Sequence, residues 1–314
     1  LSVLVRSREN KNGENDAGKT VYSLDNNCGV FAGATYDWQI LNGEAVVASG
    51  TFETSAGDPI ENGDMSQWCE TKEMLPLFGS KKITVWYPGS SWSDSTPGFW
   101  DSSNNAGNKT ACTQDKTKNA SCAWLQASGV SLVGALASGS LFTGTFTYAN
   151  MNGTASFGQK YKYTARPTAL RLKYHATLGT VNYNKHNGPL EKDKDIMDQC
   201  SFTVCIVDWD TRHDVQSGTS APKGIWDPIT MGELPVDKQN GIIGYGVKYS
   251  SENTPGTDLI PLEIPIKYYQ QTNAAPDGEN KFTIIISVST SRYGDYLNGC
   301  DKNKIYVDDF EWVY

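Results

Sequence analysis

An alternation of apolar and polar residues with a period of two runs through the chain and constrains its fold more than any other feature. Residues 282–288 place Phe282 and Ile284 on one face, and residues 169–174 alternate in the same way. Because successive side chains of a strand point to opposite faces, this pattern predicts half-buried antiparallel strands. Clusters of Gly, Asn, Ser and Pro between these segments are typical of turns. The sequence therefore predicts an all-β fold, a β-sandwich of the jelly-roll type, with at most one short helix at residues 120–127.

The strand pattern restarts near residue 57. Short strand patterns precede this point, and Asn42-Gly43 between two of them is a strong hairpin signal. The sequence Ser-Ala-Gly-Asp-Pro at residues 55–59 then interrupts the pattern. We therefore expect a small N-terminal β subdomain at residues 1–57 and a larger β domain at residues 58–314.

The last predicted strand changes its parity part of the way along. Ile305 and Val307 share one parity. Phe310 and Trp312 share the other. If both pairs face the core, the strand must hold one extra residue near positions 308–309, which is a β-bulge.

Charge and hydropathy exclude some classes of partner. Lys and Arg total 27 and Asp and Glu total 35, so the net charge is −8. This balance argues against a nucleic-acid partner, because such proteins carry a basic surface. No stretch approaches the roughly 18 apolar residues of a membrane-spanning helix, which predicts a soluble chain. The chain begins at Leu1 rather than Met, so we expect a mature or trimmed product whose signal peptide has been removed.

The seven cysteines leave the disulfide pattern open. An odd number leaves at least one free thiol, and no two form a CxxC pair. Cys112 and Cys122 flank a polar loop that a disulfide would close in an oxidising compartment. Cys200 and Cys205 differ by an odd number, so on one strand they point to opposite faces and cannot bridge.

Nucleophilic catalysis has little support in the sequence. The only histidines are His175, His186 and His213, and neither a GxSxG elbow nor an HExxH or phosphate-binding motif is present. The chain is rich instead in aromatic side chains, with nine Trp and sixteen Tyr.

Several of these aromatic residues lie in or beside polar, Gly-rich segments. They are Trp86, Trp92, Trp100 and Trp209. The C–H faces of sugar rings stack on aromatic planes, so this distribution favours a glycan site. The alternative is that these residues cap the edges of a sandwich core.

Carboxylates are also frequent, and a pair of them at a suitable distance would make a glycosidase. The candidates are Asp208, Asp210, Asp227, Glu233, Asp295, Asp308 and Asp309. Sequence alone places no two of them together, so the catalytic residues stay unassigned. Arg166, at a Pro-fixed strand start, either projects into a cleft or pairs with a surface acid.

Several short motifs, in order, resemble the putative carbohydrate metabolism domain family of Gram-negative gut bacteria. They cover roughly residues 60–314 and are FWDSSNN at 99–105, GSLFTG at 139–144, ARPTAL at 165–170, KY at 173–174, STSRYGDY at 289–296 and IYVDDFEW at 305–312.

This resemblance implies a jelly roll behind an N-terminal domain that is often immunoglobulin-like. It also implies a secreted or surface-anchored protein tied to glycan use. We expect a monomer that is secreted, periplasmic or anchored at the outer-membrane surface, the anchor being a removed N-terminal lipoprotein signal. Together with the aromatic cluster, the motifs give these candidate carbohydrate-binding residues: Trp86, Trp92, Trp100, Asn104, Arg166, Tyr174, Trp209, Arg292 and Asp295. We expect one pocket to be lined by Trp100, Arg166 and Asp295.

Jelly-roll carbohydrate modules often hold a structural calcium ion where the first and last strands meet. Asp64 opens the larger domain and Asp308 lies in the expected bulge near its end, so both are candidate ligands. The alternative is that Asp64 makes only a turn and Asp308 only hydrogen bonds. No other cofactor is expected.

Three functions are consistent with these observations. The first is carbohydrate binding through an aromatic-lined pocket, in glycan capture or metabolism at the bacterial surface. The second is glycoside hydrolysis or related chemistry by paired carboxylates. The third is a structural or adhesive surface protein, which would show a flat apolar patch or an exposed strand edge in place of a concave pocket.

Overall fold

The computed structural model describes residues 1–8, 18, 20–23, 33–74, 82–93, 96–106, 111–149, 152–163, 166–186, 188–191, 195–219, 222–229, 234–269 and 278–314. In chain order the strands are β1 Ser2–Ser7, β2 Thr20–Ser23, β3 Thr35–Asn42, β4 Ala45–Glu53, β5 Trp68–Met74, β6 Ile83–Pro88, β7 Trp100–Asp101, β8 Cys112–Asp115, β9 Cys122–Gln126, β10 Ser128–Val130, β11 Ala135–Ala137, β12 Ser140–Ala149, β13 Asn152–Phe157, β14 Ala169–Thr177, β15 Cys200–Trp209, β16 His213–Ser217, β17 Ile242–Ser250, β18 Ile260–Pro265, β19 Lys267–Tyr268, β20 Phe282–Ser289 and β21 Lys304–Val313. Short helical turns cover Ser103–Ala106, Val236–Asn240 (α1) and Gly294–Tyr296.

The predicted all-β class is confirmed. The helix expected at residues 120–127 is wrong, because β9 occupies most of that segment and pairs with β8 and β21. Among the residues that the structure describes, no helix has the length and apolar character needed to cross a membrane.

The first four strands form one antiparallel sheet in the order β2-β1-β3-β4. Its buried residues Val5, Ala34 and Tyr36 form a small apolar cluster of their own. Gly43 takes φ +64° in the tight turn between β3 and β4, the turn that the Asn-Gly pair predicts. The division of the chain at residue 57 stays a prediction.

Two larger sheets enclose the main core. One has the order β16-β13-β12-β20-β15-β17-β19, with β7 beside β12, and the other has the order β18-β14-β21-β9-β8. Alternate residues of both sheets meet in one apolar cluster, including Phe202 and Ile286 from the first sheet and Leu172, Ile305 and Phe310 from the second. This packing is the expected sandwich.

Strand β15 is buried on both faces. Phe202 and Val204 face the main core, whereas Cys205 and Val207 join Trp209 in a second apolar cluster on the other side of the sheet. Cys200 lies in the main core, so Cys200 and Cys205 point to opposite faces as predicted.

The predicted bulge in the last strand is present. Arg171 lies opposite Glu311 and Lys173 lies opposite Asp308, so two steps along β14 match three along β21. Asp309 takes the left-handed φ of +52° at this point. The extra residue brings the apolar side chains on both sides of the bulge to the core face.

The disulfide considered between Cys112 and Cys122 is not formed. Cys112 lies opposite Leu125 and Cys122 lies opposite Asp115, at different ends of the β8–β9 pair. Every cysteine in the described ranges is a free thiol. Burial raises the pKa of Cys122 to about 12, which leaves it unreactive as a thiolate. Cys28 lies outside the described residues.

Candidate functional site

A cavity of about 460 Å³ lies on the face of the larger sheet that is turned away from the main core. Strand β20 shows how alternation produces it, since Ile286 faces the core whereas Ser287 and Ser289 line the cavity. On β15, Phe202 and Thr203 divide in the same way. Its size is that of a small-molecule pocket.

Three walls surround this floor. The first wall is the hairpin β10–β11, which contributes Val130 and Leu136. The second wall is residues 225–228, which include Trp226. The third wall is residues 291–297, which contribute Tyr293. The cavity therefore has a rigid sheet as its floor and loops as its sides, an arrangement typical of binding sites.

One part of the floor, the aromatic half, is apolar. Phe146 lies opposite Ala155, which lies opposite Val215, so the three form one row across β12, β13 and β16. The rings of Phe142 and Phe157 meet edge to face, with centroids 5.1 Å apart. Tyr148 and Gly153 extend this half along the same strands.

The other part, the hydroxyl half, is made by β20, β15 and the start of β12. Ser287 lies opposite Thr203 in one row. Ser289 lies opposite both Ser140 and Ser201 in the next row. Small hydroxyl side chains on a flat sheet offer donors and acceptors without filling the cavity.

A cation is fixed at the third wall. The guanidinium carbon of Arg292 lies 3.8 Å from the ring centroid of Tyr249 and 5.1 Å from that of Tyr293. Its Nη1 donates to Gln199 Oε1 at 3.1 Å. Cation–π contacts and this hydrogen bond hold the planar group at the cavity.

Two carboxylates line the same cavity. Asp295 Oδ1 accepts a long hydrogen bond of 3.4 Å from Ser217 Oγ, and burial raises the pKa of Asp295 to about 6. Asp227, from the second wall, accepts a hydrogen bond from the Ile229 N–H at 2.8 Å. A carboxyl group with a pKa near 6 exchanges a proton readily close to neutral pH.

A buried carboxylate behind the cavity anchors the third wall. Asp198 is 2% exposed, and its Oδ2 accepts hydrogen bonds from Ser291 Oγ (2.6 Å), the Cys300 N–H (2.8 Å) and Asn303 Nδ2 (2.7 Å). Its Oδ1 accepts from the Gln199 N–H at 2.8 Å. Burial raises the pKa of Asp198, while these hydrogen bonds oppose the rise. Asp198 thus ties both ends of the segment that carries Arg292 to the sheet.

The structure buries four of the predicted carbohydrate-binding residues away from the cavity: Trp100, Asn104, Tyr174 and Trp209. The Trp100 Nε1–H donates to the Glu61 carbonyl at 2.7 Å, and Asn104 Nδ2 donates to the Cys112 carbonyl at 2.7 Å. With exposures between 0 and 9%, these side chains stabilise the fold and present no face to a ligand from solvent.

Three further predicted residues lie elsewhere on the molecule. Trp86 is 39% exposed on β6, Trp92 stacks on Tyr87 with centroids 4.0 Å apart, and Arg166 stacks on Tyr268 at 3.8 Å. The expected pocket of Trp100, Arg166 and Asp295 is therefore not assembled. Of the predicted set, only Arg292 and Asp295 line the cavity.

Sequence reasoning missed most of the aromatic lining. Phe146 and Tyr148 share a parity that is visible in the sequence, but that parity indicates only a buried face and does not say what covers it. Tyr293 lies inside a motif already singled out. No local sequence pattern marks Trp226 or Tyr249 as cavity residues. They reach the cavity only because of how the strands pair and where the loops lie.

Asp64 and Asp308, the predicted calcium ligands, belong to segments that meet through a hydrogen bond from the Phe310 N–H to the Gly63 carbonyl (2.8 Å). Asp64 Oδ1 accepts from Ser66 Oγ at 2.9 Å, and both oxygens of Asp308 also accept hydrogen bonds. Within the described ranges no group of three or more His, Cys, Asp or Glu residues is arranged to hold a metal. The oxygen-rich shell that calcium prefers is not assembled from these side chains, and calcium binding stays a prediction.

The fold and the cavity define a class, that of β-sandwich proteins with a small-molecule pocket on the open face of one sheet. The sequence matches the family model of the putative carbohydrate metabolism domain over residues 52–313. The chain therefore belongs to that family, which confirms the resemblance read from its motifs.

Two solved structures align with the chain. A crystal structure of a putative glycoside hydrolase from Bacteroides thetaiotaomicron VPI-5482 gives a TM-score of 0.48 at 14% identity, over 99% of this chain and 83% of that one. A putative glycoside hydrolase from Bacteroides vulgatus ATCC 8482 gives a TM-score of 0.49 at 15% identity, over 79% and 97%. No curated protein matches the sequence.

Proposed function

We propose that the protein binds an oligo- or polysaccharide in the cavity on the open face of its larger sheet. The observation that carries the proposal is the lining, which combines aromatic rings, a row of hydroxyl groups, Arg292 and two carboxylates. Sugar rings need apolar planes for their C–H faces and polar partners for their hydroxyl groups. Membership of a carbohydrate metabolism family supports this ligand class.

The proposed role is glycan capture or metabolism at the bacterial surface, by a monomer that is secreted, periplasmic or anchored to the outer membrane. Fractionation of the native host with an antibody to this chain tests the location. Recovery in the cytoplasm would contradict it.

A glycan array followed by calorimetry tests the binding site. Trp226→Ala removes a ring from the cavity, and Trp86→Ala is the matched control because Trp86 is exposed outside it. Loss of a stacked aromatic typically weakens binding by about 1–2 kcal/mol, or roughly tenfold or more. We expect that loss for Trp226→Ala alone. Equal affinity of both variants, or no binding to any glycan by folded protein, would refute the site.

A second candidate function is glycoside hydrolysis. Of the candidate carboxylates within the described residues, Asp227 and Asp295 alone line the cavity. Asp208 is instead paired with Lys281 at 3.4 Å, and Asp308 belongs to the other sheet. Glu233 lies outside the described residues. The raised pKa of Asp295 suits a general acid that protonates the leaving oxygen, while Asp227 would act as base or nucleophile.

Release of reducing sugar from a polysaccharide panel tests hydrolysis. Asp295→Asn and Asp227→Asn should each abolish turnover, whereas Asp208→Asn, which removes an exposed carboxylate outside the cavity, should not. Turnover that survives both cavity substitutions would exclude this pair. Binding without turnover would leave the first proposal standing alone.

A further inference from the structure

The two halves of the cavity floor differ sharply in chemistry. Within the part of the chain that the structure describes, the hydroxyls of Ser201, Thr203 and Ser287 make no hydrogen bond to another protein group. They line the hydroxyl half and are open to a ligand. The Ser289 hydroxyl is already engaged, donating to the Ser291 carbonyl at 3.0 Å.

The aromatic half is mainly apolar. A Cβ at Gly153 would lie 2.8 Å from the ring of Phe146, so this glycine lets the ring lie over the neighbouring strand. Ala155 and Val215 continue the row with small apolar side chains. At the end of this half Ser217 lies opposite Gly153 and donates to Asp295, so one carboxyl group borders the apolar row.

We propose that the cavity takes an amphipathic glycoside, whose sugar lies over the hydroxyl half and whose apolar aglycone or acyl chain lies over the aromatic half. The inference rests on the proposed function, because it assumes that the sugar binds here. An oligosaccharide covers the aromatic half only with the C–H faces of its rings, whereas an alkyl or acyl chain covers it without bringing hydroxyl groups to it. A purely apolar ligand would in turn leave the open serine and threonine hydroxyls without partners.

Alkyl glycosides test the inference by calorimetry below their critical micelle concentrations. The probes are methyl, hexyl, heptyl and octyl β-D-glucoside, the octyl β-D-galactoside and octyl α-D-mannoside, and 1-octanol as the sugar-free control. Each buried methylene improves affinity by about fourfold, so we expect about a 15-fold gain from hexyl to octyl. Methyl glucoside should bind far more weakly than any longer chain.

Variants locate the alkyl chain. Phe146→Ser should flatten the chain-length dependence, whereas Trp86→Ala, the matched control outside the cavity, should keep it. Tyr148→Ser gives a second reading if Phe146→Ser does not fold, because Tyr148 lines the same half and is only half-buried. It should reduce the gain from hexyl to octyl.

The outcomes separate this inference from the proposed function. The inference is overturned if no octyl glycoside binds or if affinity does not depend on chain length. The proposed function would still stand in that case, provided that glycans identified on the array bind and lose affinity in Trp226→Ala. If 1-octanol binds as tightly as the octyl glycosides, the sugar contributes nothing to their affinity and the inference fails, whereas the array and the Trp226→Ala variant still decide the proposed function. A steep series with weaker 1-octanol binding, abolished by Phe146→Ser, supports both.

Discussion

Replacing Asp308 by Asn should change the pH dependence of stability in a direction that the structure specifies. Asp308 is 1% exposed, its Oδ2 accepts from Asn119 Nδ2 at 2.5 Å, and its Oδ1 accepts from the Asp309 N–H at 2.8 Å. Burial, helped by the nearby carboxylates of Asp309 and Asp64, raises the pKa of Asp308 to about 6, although the hydrogen bonds from Asn119 and the Asp309 N–H oppose the rise. The folded protein therefore holds this proton more tightly than the unfolded chain does.

The sign of the effect follows from that difference. Below pH 3.8 the carboxyl group is protonated in both states and has no effect on stability. As the pH rises through about 6, the folded state must ionise a buried group, so the free energy of unfolding falls. The difference between 3.8 and about 6 corresponds to about 3 kcal/mol. In the variant Asn119 loses its charged acceptor, which offsets about 1 kcal/mol of the expected gain in the free energy of unfolding. Partial solvent screening of the carboxylate reduces that gain further.

We expect Asp308→Asn to raise the free energy of unfolding by about 1–2 kcal/mol at pH 8 and to give no gain at pH 4. Urea unfolding followed by tryptophan fluorescence, in the presence of a chelator, measures both values. Glu311→Gln is the matched control, since it removes an exposed charge three residues further along the same strand. A gain of equal size at both pH values, or a loss at pH 8, would refute the reasoning.

Other substitutions and conditions give further expected outcomes. Asp198→Ala leaves three buried donors without this acceptor, so it should lower the free energy of unfolding by at least about 3 kcal/mol. It should also speed amide exchange in the third wall. Unchanged exchange would show that Asp198 does not anchor that wall. Gly63→Ala places a Cβ 2.3 Å from the Phe310 carbonyl oxygen, which should lower the free energy of unfolding in urea by roughly 1–3 kcal/mol. An unaltered free energy of unfolding would mean that the backbone segments around Gly63 and Phe310 separate easily. If calcium binds at Asp64 and Asp308, the melting temperature should rise with calcium and fall with excess chelator. An unchanged melting temperature and no metal by elemental analysis would remove calcium from the account.

Local patterns predicted the fold well. The parity change in the last strand located the bulge at 308–309, because apolar side chains on both sides must reach one core. The odd spacing of Cys200 and Cys205 likewise placed them on opposite faces. Residues 120–127 were misjudged, since β9 is set by pairing with distant β21.

The site was predicted less well, because the sequence does not show which strands become neighbours. Trp100 stands among polar residues in the chain, yet β7 pairs with β12 and buries it completely. Phe142 and Phe146 lie on the same face of β12, and this face lines the cavity instead of packing against the second sheet. Arg292 and Asp295 were found because a single short motif carries both.

Hydrogen–deuterium exchange with and without an array-identified oligosaccharide shows where on the protein the ligand lies. We expect slower amide exchange in the second and third walls, around Trp226 and at residues 291–297, with little change near Trp86. Protection near Trp86 or Arg166 with none at the cavity walls would contradict it.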